Sequence, residues 1–281
     1  MRLSGRTDLA AERHRADPRA KGVELCETKH GDMTVTRLSI DKKIEKGASA
    51  EPSGHYSTVA FPDLLELGSK GEQALCSLLA EEMAAITLPL LGAMPRDGRR
   101  VLAVGLGNRA LTADAIGPMT LDRIGATGQL ERIDPKCLLD LGCASLFCTT
   151  PGVLADSGIE AADAVRLLSA KLCPALIIVI DALAARDPER LCSTVQLSDV
   201  GIAPGSGIGN NRPGITPEIL GVPVLSVGVP TVIDAAMLGK EREPSLFVTV
   251  KDIDARLARL APILAGAIAK LLALPSELIM G

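Results

Sequence analysis

Along residues 175–186, ALIIVIDALAAR, five consecutive apolar residues run straight into an aspartate. The run from Leu176 to Ile180 is short and rich in β-branched residues, which predicts a strand buried on both faces, as in a parallel sheet. Asp181 then falls at the carboxyl end of that strand, where open α/β sheets collect their ligands. Ala182, Ala184 and Ala185 leave room for a close neighbour, and Arg186 and Asp187 return the chain to water. Two more apolar runs read as strands: 100–106, RVLAVGL, which ends in Gly105-Leu106-Gly107-Asn108, and 222–228. A short strand is expected at 194–196. Leu75, Leu78, Leu79, Met83 and Ile86 recur at three- and four-residue intervals and predict a helix over 64–91. A second helix is expected over 159–171, with acids in its first turn and Lys171 at its end, as the helix dipole favours. Others are expected over 252–274 and starting within 231–238. Residues 114–125 read as a loop entering a helix, and 138–152 carry no clear period.

Strands alternating with helices predict an α/β fold: a mostly parallel sheet flanked by helices on both faces. Residues 1–60 are polar and irregular. Within them Met33–Ile40 alternates and can pair with 23–28, while 42–54 reads as a loop. The expected organisation is an N-terminal arm with a short pro-segment and a hairpin over 1–60, and an α/β body over 61–281. The apolar stretch 252–274 is broken by Arg256, Arg259, Pro262 and Lys270, so it reads as a buried helix or subunit contact rather than a membrane span.

Composition narrows the class. Hydrophobic residues make up 47% of the 281, enough for a full core without metal or disulfide staples. Aromatics are 1%, so that core is aliphatic. The net charge of −4 argues against a dedicated nucleic-acid binder, which carries a basic surface. Seven cysteines without CxxC spacing, Cys143 and Cys148 the closest pair, read as reduced thiols of a cytosolic compartment. The charged N-terminus does not read as a secretory signal.

The candidate chemistry is carboxylate chemistry. His14, His30 and His55 all lie in the arm, away from the strand ends, which disfavours a histidine-based triad and a conventional zinc site. No cysteine has an evident cationic or histidine partner in sequence, so core thiols are expected. Asp181 ends the central strand, and Asp114 lies seven residues after Gly107, just past the strand 100–106. If those strands are neighbours, the two carboxylates meet at one sheet edge. Close carboxylates share a proton, so one can act as base towards water and the other as acid towards a carbonyl oxygen. The alternative for each is a capping aspartate, and Asp122, Asp199 and Asp234 read as surface or capping residues. VGLGNRA is not GxGxxG and no GK[ST] occurs, so the glycine loops read as turns whose amides can line a cleft, at Gly107 and Asn108 and at Gly205, Ser206 and Gly207.

Several blocks taken together resemble the germination protease (spore protease) family. They are RTDLA (6–10), VGLGN (104–108), T-x-DAIGP (112–118), PGV (151–153), GIE (158–160), IDALAAR (180–186), SDVGIAPGSGIGN (198–210) and LGVPVLSVGVPTVIDA (220–235). IDALAAR followed by GIAPGSGIGN is the most specific part. The resemblance implies an atypical aspartic endopeptidase that degrades small acid-soluble spore proteins during germination, in the spore core, with a fold like that of hydrogenase maturation proteases. Carried over by motif, the catalytic pair is Asp114 and Asp181. The resemblance also implies a precursor that trims itself within RTDLA, here between Asp8 and Leu9, and a homo-oligomer, a tetramer in the family, with no cofactor, no bound nucleic acid and no membrane. The chain is short for the family, both in its pro-segment and at its C-terminal end. Readings of a different class remain: a metal- or phosphate-ligand binding module using the same carboxylates, or an inactive assembly subunit.

Overall fold

The computed structural model describes residues 7–10, 12, 22–41, 52–134, 136–203, 213–235 and 246–279. Nine strands form one sheet: β1 (Val23–His30), β2 (Met33–Ile40), β3 (Gly54–Ala60), β4 (Arg100–Gly105), β5 (Ser145–Thr149), β6 (Leu176–Ala185), β7 (Thr194–Ser198), β8 (Val224–Asp234) and β9 (Phe247–Val248). Their order is β1-β2-β3-β7-β8-β6-β4-β5, with β9 on β8. Only the pairings among β8, β6, β4 and β5 are parallel; the other five are antiparallel. The sheet is therefore mixed, which corrects the expectation of a mostly parallel one. The physical reason is β7, which returns antiparallel beside β8 and offers its other edge to β3, so the hairpin extends the sheet.

The parallel half has the expected burial on both faces. Val101, Ala103, Leu176, Ile178, Ile180, Leu225 and Val227 point to one side, against α1 (Ser69–Leu91) and α4 (Ile253–Leu272). Leu102, Val104, Ile177, Val179 and Val224 point to the other, against Ala162 and Val165 of α3 (Ala161–Leu172). The side-chain period of two places consecutive strand residues on opposite faces, so both need apolar cover. A short helix, α2 (Ile116–Leu121), follows β4 and packs against β4 and the middle of β6.

Three local expectations change. The central strand does not stop at Asp181: Ala182 to Ala185 continue it, paired with Val229 to Ile233 of β8. Residues 231–234 extend β8 instead of starting a helix, through a bulge at Thr231 beside Pro230, and 236–238 lie outside the described residues. Residues 145–149, without a period in sequence, form the edge strand β5. Residues 253–272 form the expected buried helix, twelve of them inaccessible. Among the described residues, α1 is the one helix long and apolar enough to cross a membrane, and it packs on α4.

Candidate active site

Asp181 stands where β6 leaves β4 and goes on beside β8. Gly105 pairs with Ile180, and the next rung joins Asp181 to Gly228. The Asp181 side chain is 6% exposed, and its Oδ1 accepts the Ala182 N–H at 2.9 Å. Burial holds its pKa well above the usual carboxylate range, the charges of Asp114 and Asp8 push it further, and the Ala182 N–H works against them. The neutral acid is the favoured form.

Asp114 ends a single 3-10 turn, Thr112–Asp114, between β4 and α2. Two glycines let that turn approach the strand ends. A Cβ on Gly117 would lie 2.4 Å from the Leu106 carbonyl oxygen and 2.6 Å from that of Ile180. One on Gly107, whose φ is +111°, would lie 1.8 Å from the Asp114 carbonyl oxygen. Only backbone without a side chain fits at either place. The Asn108 N–H then donates to Asp114 Oδ2 at 2.9 Å, and Asn108 Oδ1 closes the loop by accepting the Ala110 N–H at 2.8 Å. The half-buried Asp114 is thus oriented by Asn108 and close enough for its charge to act on Asp181. An acidic side chain in the turn past β4 and another midway along β6, where that strand parts from β4, thus act on each other, one buried with a raised pKa, the other partly open to water. Such a pair can hold one proton between them and activate a water molecule.

The N-terminal segment lies against this site. Asp8 N–H donates to the Ala184 carbonyl at 2.8 Å, and Ala184 N–H donates to Asp8 Oδ2 at 2.9 Å. Leu9 is fully buried among Leu183, Ala185, Leu191 and Ile233, and Ala10 among Leu38, Ile40 and Tyr56. Glu12, buried, accepts the N–H groups of Arg186 and Asp187 at 2.9 and 3.0 Å and pairs with Arg190. Beyond the end of β6, then, Arg186 and Asp187 serve as a latch for this segment.

Of the other candidates, Gly205, Ser206 and Gly207 lie outside the described residues, as does His14. Asp122 forms an exposed ion pair with Arg109, and Asp199 holds the exposed His55 ring at 2.8 Å. Asp234 ends β8. All seven cysteines are free, and among the described residues no three His, Cys, Asp or Glu side chains are grouped as a metal site requires. Sequence reading missed Gly117, Gly228 and Gln196. The glycines carried a signal, as isolated glycines in otherwise apolar runs mark close approach. Gln196 carried none.

A mixed α/β sheet with a carboxylate pair where β4 ends beside β6, and a peptide laid against it, has the make-up of a hydrolase. The germination protease family model matches residues 6–243, and the chain belongs to that family. Germination protease of Clostridium tetani is 36% identical over 244 residues, covering 85% of this chain and 73% of that protein. Germination protease of Caldanaerobacter subterraneus subsp. tengcongensis is 39% identical over 242 residues, covering 85% and 72%. Among solved structures, a [NiFe] hydrogenase maturation protease HycI from Thermococcus kodakarensis aligns with 65% of this chain and 98% of its own, at 16% identity and a TM-score of 0.38. The chain is a peptidase of spore germination.

Proposed function

We propose that this chain is an aspartate-dependent endopeptidase that cleaves small acid-soluble spore proteins, with Asp114 and Asp181 as its catalytic pair. The observation that carries the reading is the burial of Asp181 near the charge of Asp114, both of which raise its pKa. Asp181 is the acid towards the substrate carbonyl oxygen. Asp114, partly open to solvent, is the base that takes a proton from water. Water adds to the carbonyl carbon; as the C–N bond breaks, Asp114 passes the proton it took from water to the departing nitrogen, which leaves as an amine, and the hydroxyl of the tetrahedral carbon returns a proton to Asp181, with no covalent intermediate.

The reading extends to the chain's own bond between Asp8 and Leu9, which is processed first and makes the chain a zymogen acting in the spore core as a homo-oligomer. The segment's seat on Ala184, with the Asp8 charge acting on Asp181, supports the processing. The test is incubation of the full chain with a small acid-soluble spore protein, with mass spectrometry of both proteins. Wild type is expected to cut the substrate and itself after an acidic residue, and Asp114→Asn and Asp181→Asn each to abolish both. Cleavage that persists in either variant contradicts the mechanism.

A further inference from the structure

Among the described residues, a polar side chain on the sheet touches the segment at its backbone. Gln196, on β7 and 9% exposed, places Oε1 2.7 Å from the Ala10 N–H and Nε2 3.1 Å from the Asp8 carbonyl oxygen. Asp8 O is the carbonyl oxygen of the bond joining Asp8 to Leu9. One carboxamide therefore spans that bond, donating to its oxygen and accepting from the N–H one peptide further on.

The sheet explains why this glutamine meets the acidic pair. Gln196 pairs with Gly228, and Gly228 pairs with Asp181. Cross-strand partners share a face, so Gln196 and Asp181 rise on the same side, flanking a residue with no side chain. Their Cα atoms are two strand spacings apart, roughly 10 Å. Gly228 keeps the space between them clear of side chain. A Cβ there would come within 2.3 Å of Leu183 Cδ1, one of the side chains that surround Leu9. The segment uses this trough, with the Asp8 carboxylate on the Ala184 N–H, Leu9 in its apolar pocket and Ala10 beside Tyr56.

We propose that Gln196 is a catalytic residue of the peptidase reaction: its Nε2 donates to the carbonyl oxygen of the residue before the cleaved bond, and its Oε1 fixes the N–H of the second residue after it. This rests on the carboxylate-pair reading above. As water adds to the Asp8 carbonyl carbon, negative charge grows on the oxygen that Gln196 Nε2 already holds. A buried donor set at that position stabilises the charge without reorganising. As the C–N bond to Leu9 breaks, the proton that Asp114 took from water passes to the Leu9 nitrogen, Leu9 leaves with a free amine, and Asp8 keeps the new carboxylate. The same two contacts fit any peptide with an acidic residue before the cut, an apolar one after it and a small one next, because both are made to backbone.

The test is the first-order rate of self-cleavage in the full chain, followed by intact mass, for wild type, Asp181→Asn, Gln196→Glu and Gln196→Met, with thermal melting of each. Gln196→Glu keeps the size and the acceptor but loses the donor. It is expected to lower the rate about 10²- to 10³-fold, as loss of one oxyanion donor does; because it buries a carboxylate it is also expected to melt lower than wild type, so rates are compared well below the melting temperature of each variant. Gln196→Met is expected to be at least as slow. The ratio of the Gln196→Glu rate to the Gln196→Met rate is expected to rise as pH falls, since the introduced carboxyl can donate again once it is protonated. That trend separates a donor from a structural residue. A Gln196→Glu rate within threefold of wild type, with Asp181→Asn inactive, overturns this inference alone. If wild type cuts neither itself nor a spore protein, or if Asp181→Asn still cuts, the carboxylate-pair reading fails and this inference falls with it. A substrate-side measurement needs no variant. With a peptide containing Thr-Asp-Leu-Ala, N-methylation of the Ala is expected to raise KM at least tenfold over the same methyl one residue later; equal KM values overturn the Oε1 contact.

Discussion

Asp181 shows what a single residue can reveal. Its place after an unbroken apolar run made it a candidate in the sequence, beside the alternative of a capping residue. Its protonation needed the fold, since only the fold brings Asp114 and Asp8 near it. The raised pKa has a sign in stability. Between the unfolded value, about 3.9, and the raised folded one, the native state holds a proton that the unfolded chain has lost. Stability therefore falls as pH rises through that window. Asp181→Asn removes the penalty, and its Oδ1 can still accept the Ala182 N–H. The variant is expected to melt higher than wild type at neutral pH, with the gap shrinking towards pH 4 in a melting series. A gap that does not change with pH would mean that the Asp181 carboxyl is not strained. Gln196 shows the opposite case. A glutamine in an apolar strand has no pattern of its own, and it acquires meaning only through Gly228 and Asp181 on the same rung.

At the scale of elements, the site depends on how closely α2 and the turn before it can press on the strand ends. Gly117→Ala sets a methyl against the Leu106 and Ile180 carbonyls, backbone atoms that cannot swing aside. It is expected to cost about 1–3 kcal/mol, as overpacking does, and to lower peptidase activity by displacing Asp114. Gly68→Ala, which meets nothing within 4 Å, is expected to stay within about 0.5 kcal/mol. Urea titrations of the two variants check this; equal stabilities would contradict the close approach. Helices over 69–91, 161–172 and 253–272 were legible because their apolar positions recur at helical spacing. The second half of β8 was not: Val229-Pro230-Thr231 offers a proline where a helix can begin, and cross-strand pairing with β6 overrides that local cue. β5 was hidden because an edge strand with half-exposed positions has neither a continuous apolar run nor clean alternation.

For the whole molecule, sequence disclosed the parallel half and the hairpin but not their union into one sheet. Hairpin pairing is local, whereas the pairing of β3 with β7 joins residues well over a hundred positions apart, and no short-range pattern encodes it. That union is tied down by Glu82 of α1. Buried at 3%, it accepts Arg37 Nε of β2 at 2.9 Å and Ser57 Oγ of β3 at 2.7 Å. Glu82→Ala leaves Ser57 unpaired and releases Arg37, which can turn to water. A loss of about 1–3 kcal/mol, at the low end for a broken buried pair, is expected by chemical denaturation. The antiparallel half in turn carries Gln196 and the seat of Ala10, so the whole sheet, not its parallel half alone, composes the site.

The central claim is that the Asp114 carboxyl, in the turn past β4, and the Asp181 carboxyl, midway along β6, hold one proton between them. Titration of the Asp181 carboxyl by carbon NMR in the full chain, in wild type and in Asp114→Asn, measures it directly. The account predicts a value well above 3.9 in wild type that moves down when Asp114 loses its charge, without returning fully, because burial remains. An Asp181 that titrates as an ordinary carboxylate, or one indifferent to Asp114→Asn, would contradict it.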